Sequence, residues 1–160
     1  MMRHTLIVVG KIRAQYLHSG IEDYLKRMRP YAHVTIIEVK EEKAPDGLNA
    51  SEEEKIKHIE TERLIERTPQ DSIVIALDPR GKSYTSEMWG TMVQNWMNTG
   101  RTHVSWLIGG SLGLADDVLP NHVERWSLSS LTFTHGLARL IVLEQLYRAY
   151  KIIRGEPYHK

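Results

Sequence analysis

The residues best equipped for chemistry lie in the last third of the chain. At its end, Arg154-Gly155-Glu156-Pro157-Tyr158-His159-Lys160 sets a guanidinium, a phenol and an imidazole just past a helix stop, where a domain ordinarily frays into featureless polar tail. Imidazole titrates nearest neutral pH, so His159 is the first candidate for a proton acceptor. His135 and Arg139, four residues apart, supply a second imidazole and guanidinium. They read either as a buried histidine with an arginine whose head finds a carboxylate or a helix end, or as the rim of a ligand site. Gly109-Gly110-Ser111-Leu112-Gly113 follows an apolar run, and glycines there let a ligand or another backbone come close. Ser127-Leu128-Ser129-Ser130-Leu131-Thr132-Phe133-Thr134 is rich in hydroxyls, one of which is expected to cap the following helix.

Two nucleotide motifs are disfavoured on physical grounds. Ala76-Leu77-Asp78-Pro79-Arg80-Gly81-Lys82-Ser83 fits a relaxed phosphate-loop pattern, but Pro79 removes a backbone donor and Asp78 would repel a phosphate. A tight turn set by Pro79 and Gly81 is expected instead. The glycine run lacks the G-x-G-x-x-G spacing and follows the fourth strand, not the first.

These residues need elements to hold them. Apolar runs rich in Val and Ile predict strands at Thr5–Val9, Val34–Val39, Ser72–Leu77 and His103–Ile108, with a weaker fifth at Arg125–Leu128. The third and fourth hardly alternate, as in parallel strands covered on both faces. Helical patterns lie between them, at Tyr16–Arg27, at Ser51–Arg67 behind a capping box of Ser51 and Glu54, and at Ser86–Asn98 before Gly100. Residues 40–50 read as a mobile loop. The alternation predicts an α/β fold with a mostly parallel sheet, in one domain over residues 1–160. In that setting the glycine run, the hydroxyl run and the turn after Leu77 are three strand-end loops, placed to converge on an adenine-type ligand.

The last helix puts Arg139, Val142, Leu143, Leu146, Tyr150 and Ile153 on one face, opposite Glu144, Gln145, Arg148 and Lys151. Leu137, Leu140, Ile141 and Ile152 fill its flanks, so the helix lies either deep in a large core or, as the chain's modest length favours, against a second copy of the chain. The 160 residues are 41% hydrophobic and 26% charged, with a formal net charge of +1. That describes a globular protein and excludes a polybasic nucleic-acid binder, so an RNA partner would be gripped by a local patch or an oligomer. Lys11, Arg13, Lys26, Arg27 and Arg29 form the candidate patch, equally readable as a solvated helix face. There is no cysteine, hence no disulfide framework or thiolate metal site, and no apolar run spans a membrane. The expectation is a soluble, cytoplasmic protein.

Taken together, Leu107-Ile108-Gly109-Gly110-Ser111-Leu112-Gly113-Leu114, Leu128-Ser129-Ser130-Leu131-Thr132-Phe133, Glu144-Gln145-Leu146-Tyr147-Arg148-Ala149-Tyr150 and Gly155-Glu156-Pro157-Tyr158-His159-Lys160 resemble one family. It is the ribosomal RNA large subunit methyltransferase H family, of the SPOUT class. The likeness runs nearly end to end, taking in Val9-Gly10-Lys11 and Leu77-Asp78-Pro79-Arg80-Gly81-Lys82. It implies an α/β fold with a deep C-terminal trefoil knot, a rare exception to unknotted topology. It also implies a homodimer and methylation of N3 of a pseudouridine in 23S rRNA of assembled ribosomes, with S-adenosylmethionine as cofactor and no metal.

Carried over by position, the resemblance makes Leu77, Gly109, Gly110, Ser129, Ser130, Leu131, Thr132, Phe133 and Thr134 the cofactor pocket, the two glycines leaving room for the ligand. His159, or less directly His135, would take the N3 proton. Arg154 or Arg139 would steady charge on the base carbonyls, and Tyr158 would stack on the target or hydrogen-bond to it. Two rival readings use the same residues: an adenine-nucleotide sensor without catalysis, and a hydrolase built on Gly81-Lys82-Ser83.

Overall fold

The computed structural model describes residues 1–158. His159, with the proton-acceptor role expected of it, lies outside the described residues. The elements are β1 (Met2–Val9), α1 (Gln15–Met28), β2 (Ala32–Val39), α2 (Ala50–Glu66), β3 (Ile73–Ser83), α3 (Ser86–Asn98), β4 (His103–Ile108), β5 (Glu124–Ser127) and α4 (His135–Arg154). The strands form one parallel sheet in the order β2-β1-β4-β3-β5.

Period-two alternation sends Leu6, Val8, Ile73, Ile75, Val104, Trp106 and Ile108 to one face of the sheet, where α1, α3 and α4 pack. Ile7, Val9, Val74, Ala76 and Leu107 point to the other, under Leu64 of α2 and Leu114 and Leu119 of the β4–β5 connection. Burial on both faces explains the unbroken apolar runs. On the three-helix face Trp89 stacks on Trp106 at 5.0 Å, with Trp96 and Trp126 closing the cluster. Fully buried His4 sits beside it. Trp106 Nε1 can only donate, and it does so to His4 Nδ1 at 3.2 Å. That puts the neutral ring's proton on Nε2, which donates to Tyr150 Oη at 2.8 Å.

Two local expectations are corrected. The α2 capping box uses Asn49 and Glu52, not Ser51 and Glu54. Asn caps as well as Ser does, and starting the helix earlier still satisfies its first amides. The turn expected at Pro79 and Gly81 is a bulge within a longer β3: Leu77 and Lys82 both pair with Trp126 of β5. A Cβ on Gly81 would lie 2.6 Å from the Arg125 carbonyl, so only glycine lets the strands close up there. The last helix matches its expected stripe, with Arg139, Val142, Leu143, Leu146 and Tyr150 buried and Ile153 half-buried. Gly155 ends it at φ +64°.

Candidate functional site

A cavity of about 800 Å³ opens at the carboxyl ends of β3, β4 and β5. Its walls are the three segments singled out in the sequence, the first of them the bulged stretch of β3. Leu77 to Arg80 come from β3, Ile108 to Leu114 from β4, and Leu128, Ser129 and Leu131 to His135 from the β5–α4 connection. Thr134 caps α4 through Leu137 N, and Ser129 Oγ accepts from Leu131 N at 3.0 Å, so this connection is held by its own hydroxyls. Of the residues expected to form the pocket, all but Ser130 line it.

The two glycines are also required by the protein's own packing. A Cβ on Gly109 would meet Leu114 Cδ2 at 3.0 Å, and one on Gly110 would meet Glu60 Oε1 at 2.8 Å. Their missing side chains make room for the protein's own packing, and that brings the loop's backbone to the cavity wall. Glu60 is 3% exposed, accepts from Glu42 N at 3.0 Å, and is pushed above the usual carboxylate range by burial.

An ion-pair lattice ties the outer loops together. Arg80 bridges Asp78 and Asp116, and Arg125 of β5 bonds both carboxylates, at 3.1 and 2.6 Å. Burial works to raise the Asp78 pKa, but bonds from Arg80 and Arg125 hold it below the ordinary value. The same two guanidinium groups lower Asp116. Sequence reasoning read Asp78 as a bar to phosphate; its partner Arg125, and Asp116, which shares both guanidinium groups with it, are too distant in the chain to be found from spacing. Lys57 and Ala138 also line the cavity and were not foreseen.

His135 and Arg139 part company. His135 lines the cavity, and burial, reinforced by the nearby Arg139 charge, lowers its pKa. Arg139 is 1% exposed, bonded to Glu38 at 2.9 Å and to the carbonyls of Val9 and Gly10 at 3.0 and 2.7 Å. It clasps the ends of β1 and β2 to α4 and does not line the cavity.

The C-terminal residues lie at the other end of α4. Tyr158 Oη is 3.1 Å from Tyr24 Oη, and its ring stands edge-on to Tyr147 at 4.9 Å, beneath Arg148. Glu156 accepts from Tyr31 and Lys151, and Arg154 lies 4.6 Å over the Tyr31 ring. Tyr158 thus packs at the level of Tyr147, about 14 Å of helix rise from Ala138, the last α4 residue at the cavity. Within one chain, neither Arg154 nor Tyr158 meets the cavity.

The model of a family described as predicted SPOUT methyltransferase matches residues 2–159. The chain belongs to this SPOUT methyltransferase family. Relatives named ribosomal RNA large subunit methyltransferase H include that of Halothermothrix orenii, 46% identical over 99% of this chain and 100% of its own length. Those of Acetivibrio thermocellus and Listeria monocytogenes are each 45% identical over the same shares. In this SPOUT methyltransferase the strand-end cavity is the candidate place for a methyl donor. Its volume is within the range of small-molecule sites, and its lining mixes apolar side chains with hydroxyls and backbone. Among the described residues no helix is long and apolar enough to cross a membrane, and no three metal-ligating side chains converge.

Proposed function

We propose that this methyltransferase uses S-adenosylmethionine, held in the strand-end cavity, to methylate N3 of a pseudouridine in 23S rRNA of assembled ribosomes, working as a cytoplasmic homodimer. The observation that carries the reading is the convergence of the three loops on one cavity of ligand size, in a chain related end to end to rRNA methyltransferases. The family's trefoil knot belongs to it: Ser127 to Thr134 lead out of β5 past the cavity into α4, beside the β4 loop.

When bound, the cofactor supplies a sulfonium-activated methyl group, an electrophile that needs no further activation. What remains for the protein is to align that methyl with N3 and to accept the N3 proton. We assign the proton to His159, with His135 second; the lowered pKa of His135 keeps its ring neutral and able to accept at pH 7. Arg154 and Tyr158 would face the target base.

Because Arg154 and Tyr158 sit short of their own chain's cavity, the reading requires the C-terminal residues of one subunit to serve the cavity of the other. Exposed apolar side chains on these elements support such an interface: Leu131, 67% exposed at the cavity mouth, Met88 and Leu137, with Ile141 half-buried. Dimerisation in this sense would also unite the basic patch. Contacts of Gly136 with Ile12 and Leu17 place exposed Lys11 and Arg13 at the cavity end of the molecule. Lys26, Arg27 and Arg29 stand at the other end of α1, about 20 Å away.

The test is incubation with labelled S-adenosylmethionine and ribosomes lacking the modification, followed by mapping of the labelled nucleotide. Label on N3 of a 23S pseudouridine is expected. Label absent from RNA, with stabilisation by ATP and magnesium in its place, would transfer the assignment to a nucleotide hydrolase.

A further inference from the structure

The amino-acid end of a methionine-bearing cofactor carries a carboxylate, which a cationic side chain can neutralise. Among the described residues lining the cavity, Lys57, Arg80 and His135 can carry positive charge. Arg80 is engaged by two carboxylates, Asp78 and Asp116, at 2.8 to 3.2 Å. His135 is held neutral by burial and the Arg139 charge. Lys57 pairs with Glu54 at 2.9 Å, one turn away on α2, and the Glu54 side chain is 52% exposed. Exposed pairs at this spacing contribute little, so that contact is exchangeable.

The fold also aims Lys57. Thr61, fully buried on α2, accepts from Ala115 N at 2.9 Å, pinning the helix to the β4–β5 connection. Glu60 fills the space behind Gly110. Lys57 lies one turn before Thr61 on the same helix face, which sets it against the glycine turn. Residues 57, 60 and 61 thus form a single backing surface for that turn, with Lys57 in the cavity wall.

We infer that Lys57 binds the α-carboxylate of the cofactor's methionine portion, a role that rests on the cofactor reading above. Titration calorimetry with two ligands separates the possibilities. S-adenosylhomocysteine has the amino-acid end; 5′-methylthioadenosine keeps the nucleoside and sulfur without it. Lys57→Gln should weaken S-adenosylhomocysteine by about 10- to 100-fold while leaving 5′-methylthioadenosine within about twofold. Lys57→Arg should recover most of the loss, and Glu54→Gln should leave both ligands unaffected. Unchanged S-adenosylhomocysteine affinity in Lys57→Gln, or equal weakening of both ligands, would overturn the assignment with the cofactor reading intact. A wild-type protein that binds neither ligand would overturn both.

Discussion

Arg139 shows how a residue suited to catalysis can be spent on architecture. Its head is buried among Glu38 and two strand-end carbonyls, so removing it leaves acceptors without a donor. Arg139→Ala should lower the unfolding free energy by about 2–4 kcal/mol in chemical denaturation; wild-type stability would refute this role. The proton acceptor is tested by rate. His159→Ala should cut single-turnover methylation by about 100-fold with S-adenosylhomocysteine affinity retained, whereas an undiminished rate would shift the role to His135. At this scale the sequence revealed the loops but not the use of each atom. Gly109 and Gly110 were marked by type, yet which neighbour fills their missing side-chain space depends on Leu114 and Glu60. Lys57 carried no local signal, because its position follows from where Thr61 meets Ala115.

Among the elements, the strands and α4 were legible because burial on both sheet faces and a continuous apolar stripe leave strong periodic traces. The bulge in β3 was not. It arises from pairing with β5, forty-odd residues away, and Pro79 with Gly81 looks the same in a bulge as in a turn. Between sheet and α4, His4 predicts a pH response. Burial first, then the nearby His103, lower its pKa from 6.5 to about 3. Above pH 6.5 folded and unfolded chains are both neutral there, and stability is full. Between pH 6.5 and 3 the unfolded chain binds a proton that the folded one excludes, so stability falls on acidification by about 1.4 kcal/mol per pH unit. Denaturation midpoints at pH 7.5 and 5 should show this slope, and His4→Gln, which keeps a donor and an acceptor, should flatten it by about one proton. An equal slope in the variant would show that His4 does not carry the effect.

The whole molecule poses the larger question, since one chain divides its candidate chemistry between the two ends of α4. The cavity gathers around His135 and Ala138, while Arg154 and Tyr158 dock beside Tyr31 and Tyr24. Sequence order suggested a single constellation, because α4 alone separates the two segments in the chain; in space Tyr158 docks at Tyr147, about 14 Å of helix rise from Ala138. A second subunit resolves the division, and mixing defective chains tests it. One chain carries Thr132→Trp, which fills the cavity and leaves the C-terminal residues whole; the other ends at Arg154 and keeps its cavity. Each alone should be inactive towards ribosomes. When the two are unfolded together and refolded, half the dimers are mixed and each holds one complete site, so about a quarter of wild-type methylation should return. A mixture as inactive as its two parents would contradict an active site assembled from two chains.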